Sequence, residues 1–133
     1  YVRADADKIK MVITNLIDNA IKFTYDRGTI TITTCPKGSE VFISVHNTGV
    51  GIPEEQQKII FERLYKVDKS RSINKEGTGI GLYIVKSMLG AHGKDIKVKS
   101  VEGEYAEFSF YLDRGKPTVK GGGKPILPDN KIK

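Results

Sequence analysis

Asn15-Leu16-Ile17-Asp18-Asn19-Ala20-Ile21-Lys22-Phe23-Thr24 sets the architecture of this chain, because an apolar period and a polar one run through it together. From Ala6 onward Ile9, Ile13, Leu16, Ile17, Ala20 and Ile21 recur at helical spacing, with Asp5 or Asp7 placed to cap the start. The spacing predicts an amphipathic helix of about five turns. At about 100° per residue, Asn19 falls roughly 40° from Asn15, and Lys22 roughly 20° from it on the other side. Asn15, Asn19 and Lys22 therefore form one polar stripe, at the edge of the apolar face rather than opposite it. A stripe in that position is where a partly buried polar ligand can lie, whereas Asp18 points to solvent.

Two glycine-rich segments follow in a fixed order. Asn47-Thr48-Gly49-Val50-Gly51-Ile52 comes directly after a strand pattern. Two glycines there suit a plain β-turn as well as a turn that lets backbone approach a flat ligand closely. Gly77-Thr78-Gly79-Ile80-Gly81-Leu82 leads into a helix, whose free N–H groups can bind an anion. The second segment is not a dinucleotide fingerprint, since no strand precedes Gly77, and it lacks the lysine of a P-loop.

Around these segments the pattern is helix, hairpin, short helix, loop, helix, hairpin. Thr29 to Thr34 and Val41 to His46 are alternating β-branched runs joined across Pro36-Lys37-Gly38-Ser39. Glu54 begins a short helix behind Pro53. Residues 66–76 are charged and nearly devoid of apolar side chains, which reads as a long loop. A second helix is expected from Gly79 to about Ala91, with Ile80, Tyr83, Ile84, Ser87, Met88 and Ala91 inward and its end near Gly93. Ile96 to Val101 and Tyr105 to Leu112 make the last hairpin across Glu102-Gly103-Glu104. Helices covering one face of a mixed, mainly antiparallel sheet is the simplest packing of these pieces, giving an α+β two-layer domain.

The chain has 133 residues, enough for one ordinary core. Its formal charge is +6, of which the segment from Asp113 to Lys133 supplies +4: six basic residues against Asp113 and Asp129. The excess belongs to a Gly-, Pro- and Lys-rich stretch that cannot bury enough to order itself, so residues 113–133 are expected to be a flexible tail and not a nucleic-acid surface. Cys35 is the single cysteine, so no internal disulfide forms, as suits a reducing compartment. No apolar run reaches membrane-spanning length, which predicts a soluble domain. His46 and His92 stand alone in the pattern and are expected to be structural.

The Asn15–Thr24 segment, the Asn47–Ile52 segment, Phe61-Glu62-Arg63-Leu64-Tyr65 and the Gly77–Leu82 segment, in this order, resemble the N, G1, F and G2 boxes of the catalytic ATP-binding domain of sensor histidine kinases. That resemblance spans about Tyr1 to Leu112 and implies the Bergerat fold of the superfamily shared with gyrase, heat-shock and mismatch-repair ATPases. It implies Mg-ATP as ligand, Asn19 as the Mg²⁺ ligand, Lys22 on phosphate, and Asn15, Asn19 and Lys22 as the catalytic stripe. The nucleotide site it implies also takes in Phe23, Tyr25, Asn47, Gly49, Gly51, Ile52, Phe61, Tyr65, Lys66, Arg71, Gly77, Thr78, Gly79, Ile80, Gly81 and Leu82. Residues 66–76 resemble the ATP lid, with Arg63, Lys66, Lys69 and Arg71 as its cations, and Phe61 and Tyr65 suit lid anchors on the core.

In the hydrolysing relatives a glutamate activates water four residues before the magnesium asparagine; here Asn15 stands there, and a carboxamide is no general base. The resemblance therefore implies transfer of the γ-phosphoryl to a histidine on a separate dimerisation domain, and onward to a response regulator. The domain is then expected to be cytoplasmic, with a parent that can be an inner-membrane sensor. Two positions depart from the family. Asn47 replaces the aspartate that meets the adenine amine, and Gly103-Glu104-Tyr105-Ala106-Glu107-Phe108 carries Ala106 where a small hydroxyl residue is usual. Both fall on base recognition, which keeps open a degenerate nucleotide-binding or protein-interaction module; a free-standing kinase of the anti-sigma kind fits the F box and lid less well.

Overall fold

A computed structural model describes residues 1–62 and 81–116, together with the backbone of 118–119 and 125–126. Strand β1 (Val2–Arg3) leads into helix α1 (Ala6–Phe23). Asp5 caps α1 by accepting from the Lys8 N–H at 3.2 Å, and Asp7 in the first turn and Lys22 in the last complement the helix dipole. The apolar face of α1 buries Ile9, Val12, Leu16 and Ala20. This face is rotated from the expected one. Val12 joins it, while Ile21 at its far edge is 62 % exposed, because the helix meets the sheet along a stripe narrower than the whole apolar arc.

Strands β2 (Ile30–Lys37) and β3 (Glu40–Thr48) form a hairpin, longer than expected because Pro36 and Lys37 remain in the strand and only Gly38 and Ser39 turn. Proline is tolerated there because β2 is an edge strand, and Gly38 supplies the turn's positive φ of 62°. A single 3-10 turn at Glu54–Gln56 follows. Helix α2 (Gly81–Ala91) ends at Gly93, whose φ of 68° lets the Lys94 N–H reach back to the Leu89 carbonyl at 2.9 Å. Its buried residues are Val85 and Leu89, with Leu82 and Met88 packed at their side. The expected inward set is thus corrected: Tyr83, Ser87 and Ala91 are exposed, because α2 packs chiefly on α1 and turns Val85 and Leu89 into the core.

Strands β4 (Lys97–Val101) and β5 (Tyr105–Arg114) close the domain. All described pairings are antiparallel: β5 is central, β3 and then β2 lie to one side, and β4 and β1 share its other edge end to end. Strand β1, which no pattern suggested, pairs Val2 with Arg114 and Arg3 with Asp113, so the folded domain runs past Leu112. Thr118–Val119 (β6) and Pro125–Ile126 (β7) pair with each other, so part of the segment expected to be flexible carries a short ladder.

The sheet's helix side carries Ile43, Val45, Phe108, Phe110 and Leu112, which with Ile9, Leu16, Val85 and Leu89 form the core. Each such side chain contributes about 1.5–3 kcal/mol on burial. The alternate residues face the other way, where Phe42 meets Tyr111 edge-on and His46 stacks on Tyr105 at 5.1 Å.

Candidate functional site

The stripe Asn15, Asn19 and Lys22 lies along one side of α1, the asparagines half-buried and Lys22 exposed. Asn15 donates from Nδ2 to the Met11 carbonyl at 2.7 Å, which leaves its Oδ1 turned to α2. A Cβ on Gly81 would stand 3.0 Å from that oxygen, so glycine is what lets the start of α2 close on Asn15. At the other end of the helix pair, His92 accepts at Nε2 from the Asp5 N–H at 2.9 Å, and its Nδ1 donates to the Met88 carbonyl at 2.8 Å. The two helices therefore run antiparallel, bonded at the Asp5–His92 end and in close approach where Gly81 passes Asn15. Asn19 makes no side-chain hydrogen bond among the described residues.

The turn after β3 is stitched to the end of α1 and to the β4–β5 hairpin. The Val50 N–H donates to the Phe23 carbonyl at 3.2 Å, the Gly49 N–H to Glu104 at 3.0 Å, and the Gly103 N–H to Val50 at 2.7 Å. A Cβ on Gly49 would fall 1.9 Å from the Phe23 carbonyl oxygen; on Gly51, whose φ is 62°, it would fall 2.3 Å from the Val101 carbonyl oxygen. The chain's own backbone thus demands both glycines. Ile52, only 6 % exposed, donates its N–H to Ser100 Oγ at 2.8 Å, and Gln57 Nε2 bonds the Ile52 and Ser100 carbonyls. Tyr25 donates its hydroxyl to the Gly103 carbonyl at 3.1 Å, closing the side of the turn.

Asn47 sits one residue before Thr48 on the helix side of β3 and is 2 % exposed. Phe61 packs edge-on against Phe108 with Lys86 Nζ 5.6 Å above its ring, and Leu82 packs on the core. Arg63, Tyr65, Lys66, Lys69, Arg71, Gly77, Thr78, Gly79 and Ile80 lie outside the described residues. Ser100, Gln57 and Glu104 carry no motif in the sequence, since their part is set by contacts across 40 residues or more.

Residues 4–116 match the family model described as histidine kinase-, DNA gyrase B- and HSP90-like ATPase. The chain belongs to this family. Among curated relatives, it is 41 % identical over 114 residues to the sensor histidine kinase WalK of Bacillus subtilis, covering 84 % of this chain and 19 % of that protein. It is 41 % identical over 110 residues to the sensor protein SrrB of Staphylococcus aureus, covering 83 % and 19 %. The chain therefore spans about a fifth of the length of these relatives. Of solved structures, the nucleotide-free catalytic domain of the histidine kinase ThkA superposes with a TM-score of 0.71 at 34 % identity, over 84 % of this chain and 71 % of that one. Full-length ShkA in complex with AMPPNP gives 0.71 at 30 %, over 84 % and 22 %. The mycobacterial sensor kinase MprB shares the fold, with a TM-score of 0.75 at 24 % identity over 84 % and 76 %. This is an ATP-binding catalytic domain of the histidine kinase kind, α+β with its helices on one face of an antiparallel sheet. Among the described residues no helix is long and apolar enough to cross a membrane.

Proposed function

We propose that this histidine kinase catalytic domain binds Mg-ATP between the Asn15–Asn19–Lys22 stripe, the Gly49–Gly51 turn and the start of α2, and delivers the γ-phosphoryl to a histidine on a separate dimerisation domain of its parent. A response regulator is the onward acceptor. The observation that carries this is convergence. Gly81 passes so close to Asn15, 66 positions away, that a Cβ on it would stand 3.0 Å from Asn15 Oδ1, while Gly49 closes on Phe23 at the end of the same helix.

The donors present fit the ligand. Asn19 offers a half-buried carboxamide without a protein partner among the described residues, and its neutral oxygen suits Mg²⁺, which keeps most of its waters and phosphate ligands. Lys22 is placed for phosphate, as a point charge one turn on. Asn15 is fixed by Met11 and Gly81 and has no basic oxygen with which to take a proton from water, so the site positions and neutralises rather than hydrolyses.

Calorimetric titration of ATP with and without Mg²⁺ tests the reading. Binding should strengthen in Mg²⁺, and Asn19→Ala should lose that dependence; an unchanged magnesium profile in the variant would remove Asn19 from the site.

A further inference from the structure

We propose that this domain reads the base through Asn47 and accepts ATP and GTP with similar affinity, an inference that rests on the nucleotide site proposed above. Asn47 alternates with Ile43 and Val45 on the helix side of β3 and is 2 % exposed. Buried carboxamides normally have their donors and acceptors satisfied. This one does not: the single partner of Nδ2 among the described residues is the Thr48 carbonyl at 3.5 Å, the outer limit of a hydrogen bond, and Oδ1 has none. A Cβ on Gly49 would stand 3.0 Å from Nδ2, so this amide lies directly against the glycine turn.

The strand register adds a second observation. Asn47 stands opposite Ala106 on β5 and Ile30 on β2. Neither carries a polar side-chain atom. Positions 47 and 106, where the family resemblance implies an aspartate and a small hydroxyl residue, are therefore one cross-strand pair, so that against that expectation the pair carries neither the negative charge nor the hydroxyl beside it. Among the described residues nothing bonds the Oδ1 end of the Asn47 amide, and only the long contact to the Thr48 carbonyl meets its Nδ2 end.

An amide free to turn matches two base edges. With Oδ1 towards the exocyclic amine and Nδ2 towards N1 it pairs with adenine; turned over, Nδ2 donates to guanine O6 and Oδ1 accepts from the guanine N1–H. A carboxylate in the same place accepts only, and repels O6. Base choice in this domain thus loses its charge-based component.

ATP and GTP affinities of the whole chain in Mg²⁺ test this. For the wild type the two dissociation constants should lie within about tenfold, and Asn47→Asp should raise the ATP preference by about tenfold or more, the worth of a hydrogen bond to a charged group. A wild-type preference for ATP of a hundredfold or more would overturn the inference while leaving the nucleotide site intact, as would an unchanged ratio in Asn47→Asp. A wild type that binds neither nucleotide overturns both. Should the buried carboxylate of Asn47→Asp prevent folding, Asn47→Ala decides: it should weaken ATP and GTP by the same factor, and a loss confined to ATP counts against the inference.

Discussion

The two ends of the sheet are held together by different means. At the end proposed to bind nucleotide, the Gly49–Gly51 turn, the end of α1 and the β4–β5 tip meet through backbone, with glycines at the points of closest approach. At the opposite end, charged side chains take a larger part. Lys94 Nζ reaches Glu40 at 2.7 Å and Asp113 at 2.8 Å, the Arg114 guanidinium donates to the Gly38 carbonyl at 3.3 Å, and β1 pairs with the end of β5. Stitching by backbone leaves the Asn19 side chain without a partner among the described residues, and Asn47 with only the Thr48 carbonyl at 3.5 Å, at the proposed site. The far end uses its polar side chains on the protein itself.

The largest effect should come from breaking the backbone stitching. Gly49→Ala places a methyl 1.9 Å from the Phe23 carbonyl oxygen, which cannot move without unseating the end of α1. A loss of about 3 kcal/mol or more in urea unfolding is expected. Gly38→Ala at the other end, with φ 62° but nothing within 4 Å, should cost only about 1 kcal/mol. Equal losses at the two glycines would erase the distinction between the ends.

Tyr25→Phe removes a side-chain bond from the backbone-stitched end, the one from its hydroxyl to the Gly103 carbonyl. Stability should fall by about 0.5–1 kcal/mol, and the Gly103 amide should exchange faster with solvent. Unaltered exchange at Gly103 would show that the hydroxyl does not hold the tip.

The smallest effect concerns the ion cluster. Hydrogen bonding to Lys94 holds the Asp113 carboxyl below its ordinary value of 3.8, while Asp113 and then Glu40 raise Lys94 above its ordinary 10.5. A lowered carboxyl stabilises the fold above its unfolded pKa and ceases to as pH falls through its folded pKa; a raised ammonium stabilises below its unfolded pKa and ceases to as pH rises through its folded one. Lys94→Met should therefore melt below the wild type near neutral pH, by a few degrees at most because the cluster is solvent-screened, and the gap should narrow in acid as Asp113 protonates. A gap that stays constant into strong acid would assign the effect to the lost stem and not to charge.

The sequence by itself determined what depends on near neighbours along the chain. The period of 3.6 gave α1 and its polar stripe, the alternation gave both long hairpins, and the ordered motifs gave the family, because each is written within one or two turns of backbone. Tertiary structure decided what depends on residues far apart. Which side of α2 is buried, the pairing of β1 with the end of β5, and the selection of Val12 over Ile21 all follow from a second element whose position no local pattern contains. The same holds for the site. Gly49 and Gly51 were legible as a turn open to close approach by a ligand, but only the fold shows that Phe23 and Val101 already crowd them and that Gly81 closes on Asn15. Asn47 and Ala106 stand as separate departures in the sequence, and the β3–β5 register makes them neighbours, since cross-strand pairing is fixed by packing of the whole sheet and not by either strand alone.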